Sequence, residues 1–331
     1  MRKLFNFKLS ISNFISHFQL DLLEFLSRAI VTNQIYPDSP FYTLKLLIEN
    51  GRPITIVAPV IIVSIYYFIY AGVSFTFVKI INYLLLVFGV ISLRMGINNV
   101  NNVYDVEVDI INKPHRPIPR GELEKEVAFI TGTIIQFLSL FVFMLLGFHA
   151  FLLGLSFVVA GWMYNVDHGL KNYFPINNLI IGYVRGFGYL LPLLILQVHI
   201  ESEHIIFAFA IMLYIFGSIN SKDINDVEGD KANNRQTLPI LLGEKNQYLA
   251  LFSAPFVFFP PLIFTIGVMN GTYSSYYLLL LLALPLDLTI LFFIWKSSTS
   301  EHFENNIAWV LMIVTYLSHH ILFGMILLHN S

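Results

Sequence analysis

The 331-residue chain has no cysteine, so it can form no disulfide, no thiolate metal site and no Cys nucleophile. Charge is scarce as well. Asp, Glu, Lys and Arg supply 12% of the residues, against about 25% in an ordinary soluble domain. That shortage excludes a disordered chain, a basic nucleic-acid-binding domain and most soluble enzymes. The formal net charge of -2 carries little information about partners, because the placement of charges decides what they attract.

What fills the chain instead is apolar: 56% of residues are hydrophobic and 15% aromatic. Val127 to Val166 is a run of 40 residues without Asp, Glu, Lys or Arg, and Asn246 to Leu286 is another of 41. One membrane crossing needs about 20 apolar residues, so each run holds two. Gly, Pro and polar breaks divide the chain into nine predicted spans, at residues 53–76, 80–97, 126–147, 149–165, 177–198, 204–220, 247–269, 274–295 and 305–328. The expected fold is all-α: a polytopic membrane protein with nine transmembrane helices in one bundle. Residues 1–50 form an N-terminal cytoplasmic or interfacial segment, and residues 51–331 the transmembrane domain.

Two connections, about 98–125 and 221–246, are long and polar. Seventeen of the nineteen Lys and Arg fall on the side of the membrane that carries them and the N-terminus, which predicts that side to be cytoplasmic. The first 50 residues lack the apolar core and small-residue cleavage site of a signal peptide. Phe18, Leu22, Phe25 and Leu26 share one helical face and Asp21, Glu24 and Arg28 another, as in a helix lying at the membrane surface.

The polar connections repeat one another. Adding 121 to the residue number carries Asn102 onto Asp223, Asp105 onto Asp226, Val106 onto Val227, Glu107 onto Glu228, Asp109 onto Asp230 and Asn112 onto Asn233. The bundle is therefore expected to consist of two related halves with the functional site between them. On a helix, Asn101, Asp105 and Asp109 form one polar stripe and Asp226 and Asp230 another, while Glu107 and Glu228 point away. Four carboxylates shielded from water repel one another unless a cation sits among them. Oxygen ligands that share a partly hydrated ion with phosphate suit Mg²⁺. The candidate metal ligands are Asn101, Asp105, Asp109, Asp226 and Asp230.

These residues resemble the motifs of the UbiA superfamily of intramembrane prenyltransferases. The first family motif, approximately N-D-x-x-D-x-x-x-D followed by R-P-I-P-S-G, is matched by Asn101 to Asp109 and then Arg116-Pro117-Ile118-Pro119-Arg120-Gly121. The second, D-x-x-D-x-x-x-D, is matched by Asp223 to Asp230, with Lys222 before it. Asn102 stands where an acidic residue is common, and Arg120 where a small one is. Tyr164 and Lys171 partly match a third family segment, Y-S-x-P-P-x-R-L-K, which here lacks its prolines and is one residue shorter.

The resemblance implies an enzyme that transfers a prenyl group from a prenyl diphosphate to a lipophilic or aromatic acceptor and releases diphosphate, with Mg²⁺ as cofactor. Asp105, Asp109, Asp226, Asp230 and Lys171 are the expected catalytic residues. Asn101, Asn102, Lys113, Arg116, Tyr164, Asp223 and Arg235 are the expected substrate contacts. The acceptor is open among hydroxybenzoates, dihydroxynaphthoate, homogentisate, a porphyrin acid and a glycerol-lipid hydroxyl, with the stretches around both motifs more like the lipid-ether, chlorophyll-type and homogentisate branches. Membrane lipids are expected partners and nucleic acid is not. A secondary transporter is the alternative, although transporters place their polar groups at the bilayer midplane rather than at span ends. Arg185 is a lone charge within a span, which favours a functional role over a structural ion pair with Asp287, and His319-His320 read as satisfied histidines near a helix end.

Overall fold

Long uncharged stretches have one way to satisfy their backbone in hydrocarbon, which is to coil into helices. The computed structural model describes residues 39–72, 76–165, 169–296 and 306–330; the interfacial helix expected at 18–28 lies outside them. The chain enters through α1 (Pro40–Asn50), started by Ser39, whose hydroxyl accepts from the Tyr42 amide at 3.1 Å. The first half continues through α2 (Ile54–Ala71), α3 (Phe77–Tyr104), the short α4 (Val106–Asn112), α5 (Lys125–Leu146) and α6 (Phe148–Asn165). The second half holds α7 (Ile176–Phe187), α8 (Leu190–Ile195), α9 (Ser202–Ser218), α10 (Asn220–Asp223), α11 (Val227–Ala232), α12 (Leu238–Leu241), α13 (Asn246–Val257) and α14 (Phe259–Met269). A 3₁₀ stretch, Ser275–Ala283, runs into α15 (Leu284–Lys296), and α16 (Ile307–Asn330) closes the bundle.

Among the described residues, eight helical stretches are long and apolar enough to cross a membrane. The predicted fifth span, 177–198, differs: it is divided into α7 and α8, with Gly188 and Tyr189 between them. Gly186 lies in the last turn of α7 and Gly188 in the break itself, and glycine is the ordinary residue least able to hold a helix.

Small residues let the helices approach closely, the usual device where lipid supplies no hydrophobic drive between them. A methyl group on Gly96 of α3 would lie 2.7 Å from the Gly132 carbonyl of α5, and one on Gly186 of α7 would lie 2.5 Å from the Ala208 carbonyl of α9. Buried aromatics fill the remaining space. Phe207 of α9 stacks on Phe323 of α16 at 3.9 Å, and Phe143, Phe157 and Tyr67 anchor a second cluster among α2, α3, α5 and α6. Large apolar side chains such as Phe77, Phe137, Leu251 and Leu282 remain exposed on the outside, as a lipid-facing surface requires.

His319 and His320 sit well inside α16, fully buried, rather than near its end. They are only half satisfied: the His320 ring meets the Tyr66 hydroxyl at 3.0 Å and His319 Nδ1 lies 2.9 Å from the Thr315 carbonyl oxygen, while Nε2 of each is buried without a hydrogen bond among the described residues. Asp287 lies 3.7 Å from His319 rather than pairing with Arg185.

Candidate active site

Both copies of the repeat carry the same backbone break. α3 stops at Tyr104, and Asp105 adopts φ -97°, ψ 0° before α4 begins; Asp226 adopts φ -98°, ψ 1° before α11 begins. The carboxylate stripe is therefore not one uninterrupted helix, as the spacing alone predicts. Each leading aspartate occupies the sparsely populated bridge region, where active-site residues are often found. The i to i+4 bonding survives the break: the Asp109 amide reaches the Asp105 carbonyl at 2.7 Å and the Asp230 amide the Asp226 carbonyl at 3.0 Å. Asp109 and Asp230 thus keep their place below the leading residues. Glu107 and Glu228 face solvent.

The two short helices meet across a seam made by one side chain. Asn112 Nδ2 donates to the Asp226 carbonyl at 2.9 Å, and its Oδ1 accepts from the Gly229 amide at 2.9 Å. Gly229 leaves room for this side chain: a Cβ there would lie 2.6 Å from the Asn112 amide and displace it. The seam brings both carboxylate sets to one cavity of about 260 Å³.

Asn101, Asn102, Asp105, Asp109, Lys113, Arg116, Tyr164, Lys171, Asp223, Asp226, Asp230 and Arg235 all line this cavity. Asp105 receives Lys171 Nζ at 2.7 Å and Arg235 Nη2 at 2.5 Å. Arg116 donates to Asp109 at 2.7 Å, Lys113 pairs with Asp226, Lys222 pairs with Asp223 at 3.0 Å, and Arg235 Nη1 reaches Asp230 at 3.5 Å. Burial works against the Asp105 carboxylate, but Lys171 and Arg235 outweigh it and hold its pKa well below the usual range. Asp230 goes the other way: burial, with Asp223 and Asp226 nearby, pushes it up to about 7. Burial lowers Lys171, and Arg235 is raised because Asp105 and Asp230 outweigh its own burial. Among the described residues no three acidic side chains are gathered as a ready metal cluster; each of these carboxylates is instead paired with a lysine or arginine, and all of them offer the oxygen donors that a hard divalent cation prefers.

Two sequence departures acquire a use. Asn102 is drawn toward α1: its amide donates to the Asn50 carbonyl at 2.7 Å and the Asn50 Oδ1 at 2.9 Å, and its own oxygen accepts from Arg52 and from Arg116. Arg120 ties the motif loop to α1 through Glu49 at 2.9 Å and to Glu122 at 2.6 Å. Asn101 is held between Asn165, to which it donates at 2.6 Å, and Arg52 at 3.3 Å.

Sequence reasoning missed part of the cavity wall. Asn50, Arg52, Arg94, Asn98, Asn165, Asn178 and Trp309 also line it, as does Arg185. Arg94 offered a signal, because a cation inside an apolar stretch is costly without a function. Among the described residues neither Arg94 nor Arg185 has an ion-pair partner, and Arg94 Nε and Arg185 Nη1 are buried without a hydrogen bond. The Arg185 guanidinium lies 5.8 Å from the Tyr316 ring centre. Apolar lining comes from Ile97, Phe157, Gly161, Ile180, Ile181 and Val184.

The family model described as the UbiA prenyltransferase family matches residues 57–324. The digeranylgeranylglyceryl phosphate synthase of Thermococcus sibiricus is 31% identical over 204 residues, which are 60% of this chain and 69% of that protein. That of Methanocaldococcus jannaschii is 32% identical over 173 residues, 51% of this chain and 58% of that protein. A solved structure of a digeranylgeranylglyceryl phosphate synthase superposes with TM-score 0.59 at 24% identity, covering 85% of this chain and 99% of that one. A UbiA homologue from Archaeoglobus fulgidus, bound to GPP and Mg²⁺, superposes with TM-score 0.64 at 14% identity, covering 86% and 99%.

Proposed function

The chain belongs to the UbiA prenyltransferase family, and from that premise we propose that it transfers a long isoprenoid from its diphosphate to the hydroxyl of a glycerol-based lipid phosphate. One observation carries this reading. Besides its carboxylates and their paired cations, the cavity is lined by Arg94 and Arg185, each with a buried guanidinium nitrogen that has no hydrogen bond and neither with an acidic partner among the described residues. A prenyl diphosphate accounts for the first set. An acceptor with an anionic head accounts for the second, in keeping with relatives named for a glyceryl phosphate product.

Asp105, Asp109, Asp223, Asp226 and Asp230 would hold Mg²⁺, which when bound supplies neutralisation of the charge that grows on the departing diphosphate. Lys171, Arg235, Lys113 and Arg116 are close enough to this set to exchange their carboxylate partners for diphosphate oxygens. Ile97, Phe157 and Val184 would keep water from the allylic cation while the acceptor oxygen attacks. The acceptor's hydroxyl proton then has ionised oxygens of the same cavity as its first acceptors. The N-terminus and the two motif loops face the cytoplasm in this reading, as the excess of Lys and Arg there requires.

Purified protein in lipid nanodiscs, given labelled geranylgeranyl diphosphate and Mg²⁺, tests the acceptor. A glyceryl ether phosphate should be prenylated, and the same lipid stripped of its phosphate should react at least about tenfold more slowly through a raised KM. Transfer to a hydroxybenzoate or homogentisate with the phosphate lipid inert would refute this acceptor.

A further inference from the structure

The duplication reaches beyond the carboxylates. The same offset of 121 carries Gly96 onto Gly217 and Asn99 onto Asn220. Each of these asparagines lies six residues before the leading aspartate of its motif, and each is fully buried. Asn99 Oδ1 accepts from Asn50 Nδ2 at 2.9 Å, and Asn220 Oδ1 accepts from Asn178 Nδ2 at 2.8 Å. The remaining hydrogens of the two motif asparagines go to main-chain carbonyls, Leu47 and Met95 in one half, Phe216 and Gly217 in the other. The donors Asn50 and Asn178 also line the cavity.

The recurrence is not a simple copy. Asn50 and Asn178 are 128 residues apart, not 121, and they come from different places: the end of α1, and the first turn of α7. What the halves share is the constraint on the motif asparagine, met by a different neighbour in each. Such a constraint has a geometric use. A slip of one residue along a helix turns its side chains by about 100° and moves them about 1.5 Å, enough to remove an aspartate from a shared ion. An amide bonded to a fully buried amide resists that slip, because parting the two leaves a buried polar group without its partner.

We propose that Asn50 and Asn178 are positioning residues, matched amide clamps that fix the height and rotation of the two carboxylate motifs so that both present their aspartates to divalent cations in the cavity they share. This rests on the reading that the motif aspartates bind such a cation. Besides holding Asn99 and Asn220, Asn50 accepts from the Asn102 amide and Asn178 donates to the Phe216 carbonyl at 3.0 Å, and the clamps need no contact with substrate.

The test uses the full chain in nanodiscs, with Mn²⁺ affinity read by electron paramagnetic resonance without prenyl diphosphate and thermal stability measured in EDTA. Asn50→Leu and Asn178→Leu should each weaken Mn²⁺ binding about tenfold and raise the Mg²⁺ concentration for half-maximal rate by a similar factor. Asn178→Leu combined with Asn220→Leu should be no weaker than the worse single change, because both remove the same bond. Asn178→His, which keeps an N–H donor at a similar reach, should recover much of the affinity. If the leucine variants do not fold, Asn50→Ser and Asn178→Ser break the same bonds with a small polar side chain and are read in the same way. Variants that bind Mn²⁺ as the unaltered protein does, whatever their melting temperature, would overturn the clamps. An unaltered protein that binds no Mn²⁺ would instead overturn the cation site itself.

Discussion

Asp105 and Glu107 are two residues apart in the sequence and opposite in circumstance: one is buried between Lys171 and Arg235, the other faces solvent. The same contrast separates Asp226 from Glu228. Asp105→Ala and Asp226→Ala should each lower kcat by about a hundredfold or more, and the double variant should be little worse than either, since both serve one departing diphosphate. Glu107→Ala and Glu228→Ala should stay within about threefold of the parent. Steady-state rates in one detergent decide this, and a glutamate as costly as its aspartate would mean that the short helices are rotated from the orientation described. These acids were readable from the sequence because the repeat announces itself. Asn50 and Arg52 were not, because their partners Asn99, Asn101 and Asn102 lie about fifty residues further on and no local pattern joins them.

Helices long enough to cross a bilayer betray themselves by their lack of charge, and eight of them follow the uncharged runs closely. What the pattern hid were the interruptions. The breaks at Asp105 and Asp226 keep i to i+4 bonding on their far side, so the polar periodicity passes through them undisturbed. The division of the fifth span into α7 and α8 is hidden for another reason: a glycine within an apolar run reads equally as close packing or as a break. Close packing decides the seam between α4 and α11. Gly229→Ala would push a methyl group into the Asn112 amide, and it should lower kcat about tenfold or more while the protein remains folded by size exclusion. Adding Asn112→Ala to that variant makes room for the methyl and should restore part of the rate. A Gly229→Ala protein with unimpaired turnover would show that the seam does not set the site.

On the scale of the whole molecule, the balance of charge in the cavity couples cation binding to pH. Burial, with Asp223 and Asp226, raises Asp230 to about 7, so below that pH a divalent cation must expel a proton to use it. Mn²⁺ affinity should fall up to about tenfold for each pH unit below about 7 and level off above it. In EDTA the sign reverses for stability: the folded chain keeps a proton that the unfolded chain releases near the ordinary Asp value, so melting temperature should decline as pH rises from about 5 to 7. Asp230→Asn should flatten both curves, and a pH-independent affinity in the unaltered protein would contradict the account. Prenyl transfer should stop in EDTA and return with Mg²⁺.

The ends of α3, α6 and α9 and the start of α7 place every charged motif at the same end of the bundle, while the outer surface along the spans is apolar. In the proposed reaction diphosphate would therefore leave into water and the prenylated product into the lipid phase. The two can recombine only by returning together to one site from two immiscible solvents, each of which dilutes its share. Sidedness of the fold would thus add to the drive that cleavage of the allylic diphosphate already supplies, by separating the two products as they form.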